Sequence, residues 1–363
     1  MIRTFFTTLG LSVCFLLNAN AQDRVVNVYN WSDYIDPHVL EDFTKETGIS
    51  VVYDTYDNNE IIETKLLAGK SGYDIVVPSG PFVQRMIRAN VLQKLDKSKL
   101  ANLKNMWSEV EQGMTVYDPG NEYSVVYMWG TTGLGLNVPK IQAILGNDVV
   151  LNSFDLLMKP EYSTKLKACG IQVLDSPEDF LPGIMNYLGL ETKNATIENV
   201  QTAIEALQKV RENIQKFHSS EFINALANNQ ICMAIAYSGD IIQGRNRARE
   251  AGNGVEIQYV IPKEGAQMWF DSFVLVGDAP NTEEAYEFIN YMLRPEVAAA
   301  NSNYISYASG VEKAKELATP DIANDIGIYP TPDVMKTLFT TEAYVPKVQR
   351  AVTRLWTKLK SGR

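Results

Sequence analysis

The sequence predicts an α/β fold with a mostly parallel sheet, divided between two domains. Short apolar segments of strand character alternate with amphipathic helical patterns from residue 25 onward. The chain has 363 residues, which is more than one hydrophobic core usually organises. Hydrophobic residues make up 45% of the sequence and charged residues 21%, as in ordinary globular proteins. These observations exclude a disordered or fibrous chain.

An export signal precedes the first predicted strand. Arg3 supplies a positive charge, residues 5–17 form an apolar run, and residues 19–21 are small, as a cleavage site requires. The apolar run is too short to span a membrane. We therefore interpret residues 1–21 as a signal peptide of an exported protein.

Two cysteines remain once the signal peptide is removed, Cys169 and Cys232. In an exported chain such a pair predicts one disulfide, and two buried thiols are the alternative. The third cysteine, Cys14, lies within the signal. A lipoprotein signal there is disfavoured because the bulky Val13 precedes it and the apolar run continues beyond it.

The first elements of the mature chain alternate between strand and helix. Residues 25–29 form a predicted strand. A helix follows, because Asp36 provides a cap, Pro37 suits the first helical position, and Gly48 suits the end of the helix. The next predicted elements are a strand over 49–53, a helix over 60–68 and a strand over 73–77.

The pattern changes around residues 123–137, where we place the first crossing into the second domain. Residues 123–129 resemble a strand, and the glycine-rich segment 130–135 predicts a turn. Apolar residues at spacings of three and four predict a long helix over 196–217. The remaining predicted elements are strands over 232–236, 255–261 and 272–276 and a helix over 334–359.

The charge balance and the rare residue types exclude several functions. Acidic residues outnumber basic ones by 43 to 33, which disfavours a surface that coats nucleic acid or docks on anionic lipid. The two histidines, His38 and His218, do not support a multi-histidine metal centre or a histidine-based catalytic site. We therefore expect no metal and no cofactor.

Aromatic, acidic and small residues cluster where the predicted strands begin or end. Ligands of open α/β sheets bind beyond the carboxyl ends of the strands. Aromatic faces attract ammonium groups and carboxylates pair with them, so the clusters indicate a site for an amine with an alkyl body. A capped turn with a core aromatic is the alternative for each one. The four clusters are Trp31-Ser32-Asp33-Tyr34, Pro78-Ser79-Gly80-Pro81, Tyr237-Ser238-Gly239-Asp240 and Trp269-Phe270-Asp271-Ser272.

Adjacent carboxylates at a helix start suggest an alternative of another class. Glu178 and Asp179 follow Ser176-Pro177, and paired carboxylates can carry acid–base chemistry. An exported hydrolase that uses Glu178 or Asp179 with Asp271 is this alternative, and a solvated helix start is the simpler interpretation of the pair.

Together with further motifs, the clusters resemble the periplasmic polyamine-binding proteins, which are the solute receptors of putrescine/spermidine uptake transporters. The resemblance covers nearly the whole mature chain and is nearest to the putrescine receptor branch. Its motifs are Tyr29-Asn30-Trp31-Ser32-Asp33-Tyr34-Ile35, Tyr73-Asp74-Ile75-Val76-Val77-Pro78-Ser79, Trp129-Gly130-Thr131-Thr132-Gly133-Leu134-Gly135, Ile261-Pro262-Lys263-Glu264-Gly265 and Gly327-Ile328-Tyr329-Pro330.

The resemblance implies a two-lobed periplasmic binding protein fold of type II, with a ligand cleft between lobes that are each a mostly parallel sheet flanked by helices. The N-terminal lobe is expected over 22–132 and 251–304, and the C-terminal lobe over 133–250 and 305–363. A periplasmic monomer is implied, which binds a polyamine, requires no cofactor or nucleic acid, and delivers the ligand to an inner-membrane ABC transporter permease. A polyamine sensor that does not feed a transporter is a further alternative.

The resemblance also implies roles for individual residues. Asp271 matches the carboxylate that grips one ammonium, Asp240 matches its neighbour, and Asp179 matches the acid for the far amine. Cys169 and Cys232 match the family's disulfide pair. The other implied ligand-binding residues are Trp31, Ser32, Asp33, Tyr34, Ser79, Ser219, Tyr237, Trp269 and Tyr307.

Three departures from the family pattern concern the length of the ligand. Tyr237 replaces a tryptophan, which leaves a smaller ring with a polar tip. Trp269, which is expected to pack on the methylenes, stands where putrescine-preferring receptors have Phe and spermidine-preferring receptors have Trp. Pro81 lies where size-selective side chains occur. The choice between a diamine and a triamine therefore stays open.

Overall fold

A computed structural model of the chain describes residues 24–362, so the predicted signal peptide lies outside the described residues. Strands within this range join in one mixed sheet. They are β1 (Val25–Trp31), β2 (Ser50–Tyr56), β3 (Ile75–Val76), β4 (Ser124–Asn137), β5 (Ile171–Val173), β6 (Lys216–Phe217), β7 (Met233–Tyr237), β8 (Ile257–Val260), β9 (Gln267–Leu275) and β10 (Ala308–Ser309). The main order across the sheet is β2-β1-β3-β9-β4-β7-β5-β6, and β8 and β10 pair with β4.

Helices alternate with these strands along the chain. Short 3-10 helices occupy Lys97–Lys99, Ala101–Asn105, Lys167–Cys169 and Arg211–Asn213. The α-helices are α1 (Pro37–Thr47), α2 (Asn59–Leu67), α3 (Gly80–Arg88), α4 (Ser108–Met114), α5 (Val138–Leu145), α6 (Asp155–Met158), α7 (Pro160–Leu166), α8 (Pro177–Tyr187), α9 (Ile197–Gln208), α10 (Phe222–Ala227), α11 (Ser238–Ala251), α12 (Thr282–Met292), α13 (Pro295–Ile305), α14 (Ala314–Leu317), α15 (Pro320–Ala323), α16 (Pro332–Met335) and α17 (Pro346–Lys360).

Two parallel groups of strands lie at the two ends of the sheet. Strand β1 pairs in parallel with β2 and β3, and β5 pairs in parallel with β6 and β7. The long strands β4 and β9 lie between the groups and run antiparallel to each other. Strand β9 joins β3 and β4 joins β7, both in antiparallel pairs. The parallel groups agree with the predicted fold class. The sheet as a whole is mixed, because β9 runs antiparallel to β3, and β4 runs antiparallel to both β9 and β7.

The predicted turn over residues 130–135 is wrong, because β4 continues through it as an extended strand. The glycines of this segment instead permit close packing. A Cβ atom on Gly130 would lie 2.7 Å from Cζ2 of Trp269, and one on Gly135 would lie 2.4 Å from Cδ1 of Ile241. Glycine is therefore required here by the neighbouring side chains and not by a bend of the backbone.

Two predicted helices are shorter than expected. The helix predicted over 196–217 ends at Gln208, and the chain then passes through the 3-10 helix Arg211–Asn213 before Lys216–Phe217 pairs with β5 as β6. Tertiary hydrogen bonding of the backbone thus outweighs the apolar periodicity. The helix predicted over 334–359 is divided into α16 and α17. Pro346 begins α17, where its missing amide hydrogen is tolerated.

The short strands β8 and β10 pair with different parts of the long strand β4. Strand β8 pairs with Leu134–Asn137 of β4, at the end that also contacts β7. Strand β10 pairs with Met128 and Trp129, at the end nearer the first group. A strand joins the sheet through its hydrogen-bonding partners, whatever its position in the sequence, and residue ranges alone did not reveal these partners.

A disulfide connects Cys169 and Cys232, whose Cα atoms are 5.5 Å apart. This confirms the predicted disulfide, and the alternative of two buried thiols is wrong. Cys169 lies just before β5 and Cys232 directly before β7, so the disulfide is at the amino ends of these two strands. The described helices, all within 24–362, include none with the length and apolar character needed to cross a membrane.

Candidate ligand-binding site

A single cavity collects the aromatic and acidic clusters from both parallel groups of strands. The space free of atoms amounts to about 440 Å³, part of it open to solvent. Trp31 ends β1 and Tyr237 ends β7, so the carboxyl ends of both groups face this cavity. The lining residues are Trp31, Ser32, Tyr34, Tyr56, Asp57, Ser79, Asp179, Ser219, Ser220, Tyr237, Asp240, Trp269, Asp271 and Tyr307.

The fold positions the polar lining residues through short strand-to-helix connections. Ser79 is the N-cap of α3 directly after β3. On the opposite side, Asp179 lies in the first turn of α8 and Asp240 in the first turn of α11. Asp271 lies within the crossing strand β9 and forms an isolated bridge with Ser79. The cavity is thus framed by helix starts from both sides and by one strand that belongs to the centre of the sheet.

Three buried carboxylates of the cavity each accept a hydrogen bond from a tyrosine hydroxyl. Ser79 Oγ adds a second bond to Asp271 Oδ1 over 2.6 Å, and Ser176 Oγ adds one to Asp179 Oδ2 over 2.8 Å. These donors hold the carboxylates in fixed orientations. The tyrosine pairs are Tyr34 with Asp271 Oδ2 (2.8 Å), Tyr307 with Asp240 Oδ1 (2.6 Å) and Tyr237 with Asp179 Oδ2 (2.7 Å).

Burial outweighs these hydrogen bonds and leaves the carboxylates poorly stabilised as anions. Removal from water raises the pKa of Asp271 and that of Asp240 to about 7, although hydroxyl donors oppose the shift. Burial likewise raises the pKa of Asp179 to about 6. Among the ion pairs of the described residues, none joins these three acids to a lysine or arginine. The cavity is therefore an anionic site that lacks its own counter-charge.

Aromatic rings form a continuous wall beside the carboxylates. The ring centroid of Trp269 lies 5.6 Å from that of Tyr237 and 5.5 Å from that of Tyr307. The ring centroid of Tyr307 lies 5.1 Å from that of Tyr34, and the ring centroid of Tyr237 lies 6.3 Å from that of Trp31. Ring faces favour methylene groups and also attract cations. The arrangement therefore suits an alkyl chain with positively charged ends.

Asp33 is the one predicted site residue that the structure does not bring into the cavity. Its backbone φ is 54°, in the left-handed region, and it is absent from the residues that line the cavity. Asp33 Oδ1 instead accepts a hydrogen bond from Arg247 Nη2 at 2.8 Å. Both side chains are partly exposed. Asp33, which the resemblance implies as a ligand contact, thus connects the end of β1 to α11 in the structure.

Three lining residues were missed by the sequence analysis: Tyr56, Asp57 and Ser220. Tyr56 and Asp57 repeat the aromatic–acid pattern at the end of β2. The pattern was overlooked because the strand was predicted to stop at residue 53. Asp57 Oδ1 accepts a hydrogen bond from Ser32 Oγ at 2.9 Å, and Tyr56 OH donates to the carbonyl of Val77 at 2.6 Å. A longer predicted strand would have revealed both residues.

Glu178 does not line the cavity, although it precedes Asp179. Its Oε1 accepts a hydrogen bond from Gln349 Nε2 at 2.5 Å and lies 3.8 Å from Arg85 Nη1. Of the adjacent acids that suggested a hydrolase, only Asp179 therefore shares the cavity with Asp271.

The fold and the cavity together define a solute-binding protein with two groups of strands that face each other across a ligand cleft. A family model described as "Bacterial extracellular solute-binding protein" matches residues 38–330. The chain belongs to this family.

Individual relatives agree with this assignment. The chain is 49% identical over 356 residues to the putrescine-binding periplasmic protein SpuD of Pseudomonas aeruginosa, with 98% of this chain and 97% of the relative covered. It is 46% identical over 344 residues to the putrescine-binding periplasmic protein PotF of Escherichia coli, with 94% and 93% covered.

A solved structure of the spermidine/putrescine ABC transporter substrate-binding protein PotD from Streptococcus pneumoniae has a TM-score of 0.76 and 31% identity, covering 93% of this chain and 99% of that chain. These findings confirm the predicted resemblance and the two-lobed type II fold.

Proposed function

We propose that this protein is a periplasmic receptor that captures a polyamine, putrescine or spermidine, and delivers it to the permease of an ABC importer in the inner membrane. The observation that carries the proposal is the set of three buried carboxylates without counter-charge beside an aromatic wall. A diamine or triamine supplies both the missing positive charges and the alkyl body. The names of the relatives, which bind putrescine or spermidine, support the same ligand class.

The binding roles follow from the position of each carboxylate. Asp271 is proposed to bind one ammonium, with Asp240 as a second acceptor near it, because both contact the aromatic wall through their tyrosine partners. Asp179 accepts a hydrogen bond from Tyr237 and is proposed to bind the far amine. Trp269 packs against Tyr237 and Tyr307, the hydroxyl partners of Asp179 and Asp240, and is proposed to contact the methylenes. The other contacts are assigned to Trp31, Ser32, Tyr34, Ser79, Ser219, Tyr237 and Tyr307, which line the cavity.

Closure of the lobes is proposed to complete the site. Asp271 and Ser79 are held with the first group of strands, and Asp179 and Asp240 with the second. A ligand that contacts both sides stabilises the closed state, because only that state allows all contacts together. We propose lobes over 22–132 with 251–304 and over 133–250 with 305–363, adjusted so that β8 joins the second lobe and β10 the first. Asp33 is proposed to support closure through Arg247 instead of binding the ligand.

The proposed receptor acts as a monomer, releases its ligand unchanged and requires no cofactor. Glu178 lies outside the cavity and is hydrogen-bonded to Gln349, so the hydrolase alternative would have to use Asp179 with Asp271. The relatives are named as binding proteins, which agrees with a receptor.

Isothermal titration calorimetry with putrescine, cadaverine, agmatine, spermidine and spermine tests the proposal. We expect saturable binding of at least one polyamine and no heat with 1,4-butanediol, which keeps the methylenes and lacks the charges. Chromatography of the recovered ligand is expected to show the starting amine only. Absence of binding to all five amines contradicts the proposal, turnover supports the hydrolase, and binding without any contribution to polyamine uptake in a deletion strain supports the sensor.

A further inference from the structure

Two glutamates outside the cavity approach each other where the two halves of the molecule meet. Glu60 lies in the first turn of α2, which packs on β2 of the first group. Glu178 lies in the first turn of α8, which packs on α9 and α17 on the side of the second group. Their carboxyl groups are within hydrogen-bonding reach of each other. The contact therefore exists only while the two halves are together.

Both glutamates keep one carboxyl oxygen that is buried and lacks another partner. Glu60 Oε2 and Glu178 Oε2 are both inaccessible to solvent and accept no hydrogen bond from the rest of the described chain. Two ionised carboxylates would repel each other at this distance, and each would leave a buried charge unpaired. One proton shared by the two carboxyl groups removes this repulsion, because the protonated carboxyl donates a hydrogen bond to the ionised one.

The surrounding charges do not supply an alternative counter-ion. Arg85 approaches Glu178, but its guanidinium is already engaged by Glu63 through Nε at 2.7 Å and through Nη2. Its Nη1 lies 3.8 Å from Glu178 Oε1. Among residues 24–362, acidic groups therefore outnumber the cations that face the pair. The titratable and charged groups that face it are Glu63 from α2, Arg85 from α3, Asp179 from α8, and Glu342 and Tyr344 from the segment before α17.

We propose that Glu60 and Glu178 share one proton when the lobes are closed, so that ligand capture takes up a proton from solvent at this interface. The proton resides on one carboxyl group and is donated to the other, and it returns to solvent when the lobes open and water reaches both groups. This inference rests on the proposed closure around a ligand. It assigns to Glu178 a role distinct from the acid–base chemistry that its position in the sequence suggested.

The electrostatics of the pair agree with this assignment. Burial, followed by the neighbouring charge of Glu178, raises the pKa of Glu60 to about 10. A glutamate exposed to water in an open state titrates near pH ~4.3. Between these two values, the closed state holds a proton that the open state lacks. A rise in pH over this interval therefore weakens closure.

Calorimetry in buffers of different ionisation enthalpy measures the proton directly. Putrescine is titrated at pH 7.5 in phosphate and in Tris, and the dependence of the heat on the buffer gives the number of protons taken up. We expect the wild-type protein to take up about one proton more per bound ligand than Glu60→Gln. Protons exchanged by the cavity carboxylates Asp240 and Asp271 are common to both proteins and cancel in this difference. The exposed Glu161→Gln is the matched control and is expected to match the wild type.

The pH dependence of affinity provides a second readout. The ratio of the wild-type Kd to that of Glu60→Gln is expected to rise about tenfold between pH 7.5 and 8.5, because a proton taken up on binding changes the constant tenfold per pH unit. If Glu60→Gln does not fold, Glu178→Gln serves the same comparison. If the wild type and Glu60→Gln take up the same number of protons and their Kd values change in parallel with pH, this inference is overturned and the proposed function is not. A wild-type protein that binds no polyamine overturns the proposed function and, with it, this inference.

Discussion

The indole ring of Trp269 packs directly on the backbone of Gly130, its cross-strand partner between β9 and β4. A Cβ atom on Gly130 would lie 2.7 Å from Cζ2 and 2.8 Å from Cη2 of the indole. We therefore expect Gly130→Ala to displace Trp269 within the cavity. Overpacking of this kind costs roughly 1–3 kcal/mol of unfolding free energy. We also expect the Kd for putrescine to rise about tenfold, which corresponds to ~1.4 kcal/mol.

The matched control is Gly135→Ala on the same strand. Its Cβ would meet Ile241 at 2.4 Å, and neither residue lines the cavity. We expect a loss of stability in urea titrations with an unchanged Kd. A similar loss of affinity in both variants would show that Gly130 acts only through general stability.

Asp271→Asn is expected to weaken polyamine binding strongly. The amide keeps the size of the side chain but removes the charge that pairs with a buried ammonium. Loss of one partner from a buried charge pair costs ~2–5 kcal/mol, so calorimetry is expected to show a Kd at least about 30-fold higher. The exposed Asp148→Asn is the control and is expected to bind like the wild type. An unchanged Kd for Asp271→Asn removes this residue from the site.

The stability of the ligand-free protein is expected to fall as the pH rises from 5 to 8. Asp240 and Asp271 hold a proton in the folded protein up to a pKa of about 7, whereas an unfolded aspartate loses it near ~3.9. Their contribution to stability is therefore complete below the unfolded value and is lost as the pH rises through 7. Each of the two groups changes the free energy of unfolding by at most ~1.4 kcal/mol per pH unit.

Urea unfolding at pH 5, 6, 7 and 8 measures this dependence. The double variant Asp240→Asn/Asp271→Asn is expected to lose the part of the slope that these two groups contribute, and saturating putrescine is expected to reduce the slope in the wild type by stabilising the ionised carboxylates. A wild-type slope that equals that of the double variant contradicts the assignment.

Trp269→Phe is expected to shift the preference toward putrescine. The indole of Trp269 contacts Tyr237 and Tyr307 in the aromatic wall, and the family resemblance associates Phe at this position with diamine preference. The measurement is the ratio of the Kd values for spermidine and putrescine. We expect the ratio to rise at least about threefold, equivalent to ~0.6 kcal/mol. An unchanged ratio shows that the selection lies elsewhere, with Pro81 as the next position to vary.

Removal of the disulfide is expected to reduce stability without a change in affinity. Cys169 and Cys232 are 63 residues apart in sequence, and a loop of this length contributes about 4 kcal/mol in the chain-entropy model. The bond lies at the amino ends of β5 and β7, whereas the cavity lies at the carboxyl ends. We expect Cys169→Ala/Cys232→Ala to unfold at lower urea concentration and to bind putrescine with the wild-type Kd. A higher Kd in this variant would indicate that the bond also positions the site.

Local signals in the sequence predicted much of the architecture. Helix α1 is an example, because Asp36 caps it through the His38 amide and Gly48 ends it with a φ of 70°. Eleven of the twelve predicted ligand residues line one cavity. They lie close together because the carboxyl ends of parallel strands meet at the same edge of a sheet.

The features that the sequence did not reveal depend on distant partners. The glycines of β4 were interpreted as a turn because Trp269 and Ile241, which pack on them, are remote in sequence. The left-handed backbone of Asp33 directs its side chain to Arg247, and the residue types of the cluster do not encode this direction. The contact of Glu60 with Glu178 likewise depends on how the two halves meet.

The crossing strands β4 and β9 have a consequence for how the molecule unfolds. Because hydrogen bonds run without interruption from β3 through β9 and β4 to β7, neither group of strands can lose its structure without exposing the backbone of a strand that the other group requires. Denaturation is therefore expected to be one cooperative transition with coincident fluorescence and circular dichroism curves, although the cavity lies between the two groups of strands.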